Sequence, residues 1–509
     1  MKILLFNMLW EMGPLGLLNV VTFLESKGYP CQHIYLTKKE DETEAEAEAV
    51  LRFIEEQKPD LVGFSMMTFN FLRTKRLTIE VKKRMPDVPV IHGGIHATFN
   101  PGECIKYADY VCVGEGEEAM LDLVRAMDSG QRTDNIPNIW ARQNGQVAEN
   151  SVRPLIENLD DYPFPRFNWN NSYCLDEEQI KPLTKELYRK YVIRHGVVYD
   201  VMASRGCPYA CAYCCNALFR RIYKGKGKFV RYRSPENVVA ELKYAQSEFP
   251  EIKVINLQDD GFAGGPEEYL RNFSKIYRKE IGLALRCRVI PTLLNEKKAQ
   301  YLKDANMLVV VIGVQSSDRV NREIFNRKVS SDQLLQAARL LKKHDIVIEY
   351  DLIIRNPFET EEDMIEKCRI LARLPKPYQL FMFGLALFPH SPLRDRAIAE
   401  GIAVNENDGY EENYGSYPLR FPYLQKLQQT CPYSPRWLVE FFIRTRHSRF
   451  CRGLFHIHYH YICTNIERLK ILILKSPTVL AIVKRIIFFP NAVAGLFKRK
   501  SPGSPIAAT

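Results

Sequence analysis

Residues 204–215 read SRGCPYACAYCC and follow directly on an apolar run. Cys207, Cys211 and Cys214 in this stretch are separated by three residues and then by two. Thiolates at this spacing can bind one iron–sulfur cluster from a single loop, and three protein ligands leave the fourth iron open. A structural zinc ion is the alternative, but zinc usually takes four protein ligands, and the adjacent Cys215 would point away from such a site. The spacing therefore favours an iron–sulfur cluster.

The cysteine stretch stands near the start of a series of alternating strand and helix patterns. Apolar runs typical of strands occur at residues 198–203, 254–258, 285–289, 308–314, 346–354 and 379–386. Helical patterns separate them, as in a βα series. Six strands are too few to close an eight-stranded barrel. The sequence therefore predicts a partial, TIM-like (β/α)6 barrel over residues 196–400.

A separate α/β pattern precedes this barrel. Its apolar runs are residues 2–7, 32–36, 60–65, 88–92 and 110–113. Its helical patterns are residues 15–27, 42–57, 71–84 and 117–127. The alternation predicts a doubly wound, Rossmann-like parallel sheet over residues 1–135. A hairpin that turns at Asn144-Gly145, followed by a linker, is expected over residues 136–195.

Glycines and small polar residues cluster just after the strands of the first sheet, at 13–16, 65–68, 93–98 and 114–117. In a doubly wound sheet these positions fall at the carboxyl ends of the strands, where such folds bind ligands and glycine lets the backbone approach them. Tight turns without a ligand would explain any one of these loops. Four such loops at one edge favour a ligand.

The composition is that of an ordinary globular protein. Of 509 residues, 46% are hydrophobic and 26% are charged, which excludes wholesale disorder and collagen-like repetition. The thirteen cysteines are odd in number and scattered, and the chain starts without a signal-peptide pattern. We therefore expect a cytoplasmic protein, in which clustered cysteines bind metal more often than they form disulfides. No uncharged apolar run reaches about 18 residues, so no membrane-spanning helix is expected.

The positive charge is concentrated at the end of the chain. The net charge is +11, and residues 436–509 contain thirteen Lys and Arg but only two Asp and Glu. The α/β alternation stops near residue 400, so residues 401–509 are expected to form a helical basic extension. Three interpretations stay open: a helical cap on the barrel, peripheral contact of residues 436–500 with the cytoplasmic membrane face, or an acidic partner such as nucleic acid. The lack of a recognised nucleic-acid module in the sequence disfavours nucleic acid.

The Cys-x3-Cys-x2-Cys stretch, with Tyr213 before its last cysteine, resembles the cluster-binding loop of the radical S-adenosylmethionine (radical SAM) enzymes. Three later stretches resemble elements of that family in the same order: QDDGF at 258–262, IGVQSS at 312–317 and DLIIRNPFET at 351–360. The family usually has Glu where this chain has Gln315.

This resemblance implies a set of site residues. The three cysteines that would ligate a 4Fe–4S cluster are Cys207, Cys211 and Cys214. S-adenosylmethionine (SAM) would bind the open iron, with the nucleoside near the strand ends. The residues implied there are Tyr213, Asp259, Arg288, Gln315 and Ser316. For the last four, a structural role as polar residues of the barrel wall is the alternative.

The first unit resembles the cobalamin-binding domain that precedes the barrel in the methyltransferase-type subclass. The resemblance is carried by PLG at 14–16, GGIHAT at 93–98 and GEGE at 114–117. The string Asp-x-His-x-x-Gly, through which some cobalamin domains bind cobalt, does not occur in the sequence, so cobalamin would bind without that histidine. The residues assigned to cobalamin are Leu15, Gly16, Ser65, Thr68, Gly93, Gly94, His96, Gly114, Glu115 and Gly116.

The resemblance also implies a reaction. One electron, from a donor such as flavodoxin or ferredoxin, would cleave SAM to methionine and a 5′-deoxyadenosyl radical, which removes hydrogen from an unactivated carbon. Cobalamin would deliver a methyl group to the substrate, an unidentified lipid, tetrapyrrole, peptide or other natural-product precursor. Two alternatives stay open: radical cyclisation or rearrangement without methyl transfer, and a non-catalytic cobalamin- or lipid-binding protein.

Overall fold

The computed structural model describes residues 1–8, 15–37, 43–193, 196–402, 404, 417–418 and 420–475, of which 466–475 are described as backbone only. Its strands fall into two large sheets and one two-stranded ribbon. The strands are β1 (Ile3–Asn7), β2 (Cys31–Tyr35), β3 (Leu61–Ser65), β4 (Val90–Gly93), β5 (Tyr110–Cys112), β6 (Ile139–Gln143), β7 (Gln146–Ala148), β8 (Ser172–Asp176), β9 (Gln179–Pro182), β10 (Val198–Val201), β11 (Ser204–Arg205), β12 (Arg231–Tyr232), β13 (Val254–Leu257), β14 (Ala284–Arg288), β15 (Met307–Gln315), β16 (Val347–Ile354) and β17 (Gln379–Gly384).

Helices connect most of the parallel strands, and many begin at a side-chain cap. Ser234 and Ser330, for example, accept a backbone N–H of the helix that follows them, which satisfies a donor that the helix itself leaves free. The α-helices are α1 (Leu15–Ser26), α2 (Glu44–Gln57), α3 (Phe71–Arg84), α4 (Gly94–Phe99), α5 (Pro101–Cys104), α6 (Glu117–Asp128), α7 (Lys185–Tyr191), α8 (Cys215–Ile222), α9 (Pro235–Glu248), α10 (Glu267–Glu280), α11 (Glu296–Asp304), α12 (Ser331–Lys343), α13 (Glu361–Arg373), α14 (Pro392–Ala399), α15 (Pro422–Thr430), α16 (Arg436–Arg444) and α17 (Arg449–Lys475).

The first sheet has nine strands in the order β7-β6-β5-β4-β3-β1-β2-β8-β9. Its centre, from β5 to β2, is parallel, as the sequence predicts. On β1, Leu4 and Phe6 enter one apolar cluster, while Ile3 and Leu5 enter the cluster on the opposite face. A strand covered on both faces is apolar throughout. This confirms the Rossmann-like architecture.

Two hairpins extend the edges of this sheet. The predicted hairpin β6–β7 turns at Asn144 and Gly145, both of which have positive φ, and it pairs antiparallel with β5. The hairpin β8–β9 was not predicted, and it joins the opposite edge through parallel pairing of β8 with β2. Residues 136–195 therefore contribute strands to the first sheet as well as the linker.

The second sheet has six strands in the order β10-β13-β14-β15-β16-β17. Neighbouring strands from β10 to β16 pair in parallel, and each lies beside the strand that precedes it in this series. This is the order of a (β/α) barrel, and six strands confirm the predicted partial barrel. The antiparallel ribbon of β11 and β12 flanks the cysteine stretch on both sides in sequence.

The chain divides into two compact units. One comprises Met1–Asp363 and Leu380–Arg420, and it contains the first sheet, the ribbon and β10 to β16. The other comprises Met364–Gln379 and Phe421–Thr509, and its described part is helical, with α15, α16 and α17. This agrees with the helical C-terminal region that the sequence predicts. Within the described ranges, no helix is both long enough and apolar enough to cross a membrane.

Candidate active site

A cavity of about 410 Å³ lies between the carboxyl edge of the first sheet and the cysteine stretch, within the first compact unit. The barrel side of its wall includes Met202, Arg205, Gly206, Cys215 and Asp260. The other side is formed by the loops after β3, β4 and β5 and by the start of α1. Cavities of this size hold small molecules or part of a larger cofactor.

Most of the residues that the resemblance assigns to cobalamin line this cavity. They are Gly16, Ser65, Gly93, Gly94, Gly114, Glu115 and Gly116. Leu15 lines a smaller neighbouring cavity instead. The glycine loops therefore face one space at the edge where the sequence predicts a ligand, although the role of each residue stays a prediction.

Thr68 and His96 lie behind the cavity wall. Both are buried, and His96 Nδ1 lies 3.4 Å from Thr68 Oγ1. The imidazole packs against Phe71 with ring centroids 4.5 Å apart. Burial lowers the pKa of His96 to about 4, which keeps the ring neutral near pH 7. The structure gives His96 an internal position rather than one in the wall.

Two glycines in the wall have backbone geometry that a side chain would oppose. Gly94 has φ of +90°, and a Cβ there would lie 2.6 Å from the carbonyl oxygen of Met66. Gly114 also has φ of +90°, and a Cβ there would collide with the phenol of Tyr223. The hydroxyl of Tyr223 accepts the backbone N–H of Glu115 at 2.8 Å. At both positions glycine lets the loop pack closely against its protein neighbours, which a side chain would prevent.

The cysteine stretch is a loop with close backbone contacts near its start and at Ala212. It starts at Gly206, which has φ of +89° and where a Cβ would overlap the carbonyl group of Phe229. Further along, the N–H of Ala212 donates to the carbonyl oxygen of Phe325 at 2.8 Å. The loop then enters α8. The course of the loop is therefore supported by Phe229 near its start and by Phe325 further along.

The thiols of this loop differ in their environments. Burial raises the pKa of Cys207 to about 12 and that of Cys211 to about 11, while the adjacent Cys215 lowers the pKa of Cys214 to about 7. Among the described residues, no group of three or more His, Cys, Asp or Glu side chains is arranged to hold a single metal ion. Each thiolate of a cubane cluster binds a different iron, so cluster ligands need not converge as zinc ligands do. The loop fits a cluster better than a zinc ion.

The residues implied around SAM have varied surroundings. The Tyr213 ring packs edge-on against Phe325, with centroids 4.8 Å apart. The buried Asp259 carboxylate accepts the N–H of Ala203 at 3.2 Å and the hydroxyl of Ser204. Burial raises the pKa of Asp259 to about 6. Asp259 therefore has protein partners of its own.

The other three lie along β14 and β15. Arg288 donates to Gln258 Oε1 at 3.2 Å, and the buried Ser316 hydroxyl donates to the Glu359 carboxylate. Gln315 has φ of +63°, an uncommon conformation for a non-glycine residue. The structure brings these residues to the strand ends, as expected, and their roles toward SAM stay predictions.

A polar network on one face of the barrel sheet escaped the sequence analysis. Asn256 donates to Asp200 at 2.5 Å, and Arg286 donates to Asn256 at 3.0 Å and to Glu349 at 2.7 Å. These side chains come from β10, β13, β14 and β16, so the network crosses most of the sheet. Near it, burial raises the pKa of Asp351 to about 6. No local motif marks these residues, because they come from four strands that are far apart in the sequence.

Residues 1–124 match the B12 binding domain family, and residues 201–371 match the Radical SAM superfamily. The chain belongs to the cobalamin-binding radical SAM enzymes. The two matches stand in the order that the sequence predicts, and they confirm the inferred cofactors: a 4Fe–4S cluster, SAM and cobalamin. Because they identify an enzyme, the non-catalytic alternative is not supported.

This radical SAM enzyme is 27% identical over 361 residues to an uncharacterised methyltransferase of Pyrococcus horikoshii, covering 70% of this chain and 73% of that protein. It is 27% identical over 323 residues to the anaerobic magnesium-protoporphyrin IX monomethyl ester cyclase of Rubrivivax gelatinosus, covering 61% of this chain but 53% of the cyclase. The structure of OxsB, a cobalamin-dependent SAM radical enzyme with aqua-cobalamin and SAM bound, matches with a TM-score of 0.65 at 14% identity, over 96% of this chain and 75% of OxsB.

Several cavity-lining residues of the radical SAM enzyme carry no sequence signal. Asn216, Phe219, Tyr223 and Phe229 come from α8 and the segment after it, and they face the glycine loops across the cavity. Loop composition identified one wall of the site. The opposite wall depends on how the barrel packs against the first sheet, which a single sequence does not encode locally.

Proposed function

We propose that the enzyme transfers a methyl group to an unactivated carbon of an organic substrate in a cobalamin-dependent reaction. The supporting observation is the shared wall of the cavity. Gly94 and Gly114 of the cobalamin-binding domain line the same space as Gly206 and Cys215 of the cysteine loop. A methyl carrier and a radical source must both reach one carbon, and one cavity between their two sites allows this.

In this proposal Cys207, Cys211 and Cys214 ligate the cluster, and the glycine loops hold cobalamin. When bound, the cluster supplies the electron that cleaves SAM, and cobalamin carries the methyl group. The chain itself shapes and dries the cavity, since Phe64, Met120 and other apolar side chains line it. Excluding water protects a reactive carbon radical from side reactions.

The test follows the methyl group of SAM. Full-length protein is reconstituted anaerobically with iron, sulfide and hydroxocobalamin, reduced, and given SAM with a labelled methyl group. We expect label in the corrinoid fraction. Gly94→Ala should reduce this label, because its Cβ would displace the backbone at Met66. The control is Gly28→Ala, which should not reduce the label. Gly28 has a similar φ of +89° but open space around it. Protein that cleaves SAM but leaves the corrinoid unlabelled contradicts methyl transfer.

Radical cyclisation without methyl transfer is the second candidate. The similarity to the Rubrivivax gelatinosus cyclase favours it, although the match spans about half of that protein. Under this alternative, SAM is cleaved in the same assay and no label enters the corrinoid fraction. The two candidates therefore give opposite results in one experiment.

The reaction also needs a one-electron donor. We propose a small flavodoxin- or ferredoxin-type protein, since the family cleaves SAM reductively, and a cytoplasmic location for both proteins. Replacing a chemical reductant by a purified donor of each type tests this. A donor that supports SAM cleavage is expected, and cleavage that only chemical reductants support would count against it.

The second compact unit carries a surface suited to a membrane. Of the twelve large apolar side chains exposed in the described residues, seven lie between residues 433 and 461. Four of them, Phe450, Leu454, Ile457 and Tyr461, recur every three or four residues along α17 and so form one stripe on the helix. We call these four residues the apolar stripe. Exposed apolar patches of this kind mark interaction sites.

Charge around the apolar stripe favours an anionic lipid surface as its partner. Residues 436–475 contain eight Lys and Arg and two Asp and Glu. Residues 476–509 add five Lys and Arg and no acidic residue, so like charge disfavours that segment as the cover of the stripe. Basic residues beside an exposed apolar face are typical of helices that lie in the headgroup region. We therefore propose peripheral binding to the cytoplasmic membrane face.

Vesicle flotation tests this contact. We expect the full chain to float with vesicles that contain anionic phosphatidylglycerol, less at high salt, and not with neutral phosphatidylcholine vesicles. The variant Phe450→Ser/Ile457→Ser/Tyr461→Ser should stay at the bottom of the gradient. The matched control Leu72→Ser/Val147→Ser removes exposed apolar side chains elsewhere and should float. Equal flotation of both variants contradicts a role for the stripe.

A further inference from the structure

Arg205 and Arg231 lie directly opposite each other on the antiparallel ribbon β11–β12. Like charges at opposed positions destabilise a strand pair. Arg205 stands immediately before Gly206 and the cysteine loop, so the ribbon carries the start of that loop. This position needs counter-charges, and the ribbon itself does not contain them.

The loop after β5 and the start of α6 supply two carboxylates at this point. Glu117 Oε1 accepts a hydrogen bond from Arg205 Nη2 at 2.6 Å. Glu115 lies between the two arginines: its carboxylate is 3.5 Å from Arg205 and accepts two hydrogen bonds from Arg231, one of them at 3.2 Å. The result is a network of two positive and two negative side chains, which we call the four-residue network.

Two side chains of the four-residue network are buried, and the other two, Arg205 and Glu115, are 21% and 23% exposed. Exposure is 3% for the side chain of Arg231 and 4% for that of Glu117. Removing one partner of a buried ion pair leaves the other charge without compensation, which is far more costly than the pair is favourable. The network therefore resists displacement of either side relative to the other.

A second contact acts at the same loop. The backbone N–H of Glu115 donates to the Tyr223 hydroxyl at 2.8 Å, and Arg231 also donates to the carbonyl oxygen of Ile156 at 2.9 Å. The loop after β5 is thus joined through both side chains and backbone to elements that flank the cysteine loop. Arg205, Glu115, Glu117 and Arg231 all line the cavity as well.

We propose that the four-residue network consists of positioning residues that fix the cobalamin-binding domain over the cysteine loop and so set the separation of the two cofactors. Glu115 and Glu117 act through the barrel arginines. The inference rests on the proposed function only for the identity of the bound groups. Positioning of this kind matters because a displacement of about 1 Å can cost about 100-fold in rate.

Hydrogen exchange tests the network without cobalamin. The sample is the cluster-reconstituted full chain. Glu117→Gln and Arg205→Gln should each speed amide exchange at residues 112–118 and 204–215. Arg205→Gln should have the larger effect, because it leaves two carboxylates without their arginine partner. The double variant should exchange more slowly than Arg205→Gln alone, since Glu117 is then no longer a buried unpaired charge. Glu118→Gln, one residue further along α6 and without a described ion pair, is the control. The inference is overturned if amide exchange in Glu117→Gln is unchanged. It is also overturned if the increase in exchange in the double variant equals the sum of the increases in the two single variants.

Pulsed electron paramagnetic resonance tests the consequence for the cofactors. The reduced cluster and cob(II)alamin each carry an unpaired electron, so their separation can be measured in the holoenzyme. We expect one narrow distance in the parent and in Glu118→Gln, and a broader or longer distribution in Glu117→Gln. An unchanged distribution in folded Glu117→Gln overturns the inference. A parent that binds no cobalamin contradicts the proposed function instead, and the exchange experiment then still decides on the network.

Discussion

The carboxylate of Asp259 accepts the backbone N–H of Ala203 at 3.2 Å. This bond joins the segment just after β13 to the short connection between β10 and the ribbon that leads into the cysteine loop. The same carboxylate accepts the Ser204 hydroxyl. Asp259, which the sequence resemblance associates with SAM, is therefore also an internal support of the cysteine loop.

Asp259→Asn should reveal this support through the pH dependence of stability. Burial raises the pKa of Asp259 from 3.8 to about 6, so the folded chain keeps a proton that the unfolded chain releases. The resulting stabilisation is full below about pH 4 and is lost as pH rises through about 6. Asn does not titrate. The melting temperature of the parent minus that of the variant should therefore fall between about pH 4.5 and 7, and a difference that rises over this range contradicts the buried carboxyl.

Gly114→Ala should be more damaging than Gly28→Ala. The two glycines have φ of +90° and +89°, so a side chain at either costs about 1–2 kcal/mol in backbone strain. Only at Gly114 would the Cβ also collide with the phenol of Tyr223. We expect Gly114→Ala to lower the free energy of unfolding by about 1–3 kcal/mol more than Gly28→Ala does. Chemical denaturation measures both free energies of unfolding. Equal decreases in the two variants would show that the Tyr223 phenol can move away without destabilising the fold.

The Arg286–Glu349 pair in the barrel should be costly to break from one side. Its side chains are 24% and 14% exposed, and Arg286→Met leaves the Glu349 carboxylate without its cation. We expect a loss of about 3 kcal/mol in the free energy of unfolding. Arg286→Met/Glu349→Leu should recover at least half of it, because the Glu349 carboxylate is then no longer left without its cation.

The control for this pair is Lys243→Met, which breaks the more exposed pair of Lys243 with Glu280, with side chains 53% and 30% exposed. We expect a loss below about 1 kcal/mol there, since such pairs are screened by water. Equal effects of Arg286→Met and Lys243→Met in urea denaturation would mean that the barrel network is no more than a surface interaction.

The sequence predicted those parts of the fold that depend on local pattern. The strands β1 to β5, β10 and β13 to β16 of the two sheets are mostly buried and apolar, and their runs in the sequence coincide closely with the observed bounds. The hairpin β8–β9 was missed, because its second strand, Gln179–Pro182, is partly exposed and lacks an apolar run. Strands on the edge of a sheet carry a weaker pattern than strands in its centre.

The candidate site was predictable on one side only. Cys207 to Cys214 form a local motif, and the glycine loops follow predicted strands, so both were found. Glu115 could only be assigned to a loop, because its partner Arg231 is 116 residues away in the chain. The sequence predicts His96 at the same edge, yet the structure buries it behind the wall. Packing decides which residues distant in sequence come into contact and in which direction a side chain points. Local sequence patterns do not contain this information.

The most direct measurement is 5′-deoxyadenosine formation by the reduced, cluster-reconstituted full chain supplied with SAM. Radical SAM chemistry at the cysteine loop predicts this product from the parent and from Cys451→Ala, since Cys451 lies in the second unit. It also predicts loss of the product to background in Cys211→Ala. Equal formation by Cys211→Ala, or none by a parent whose cluster is intact, would contradict it.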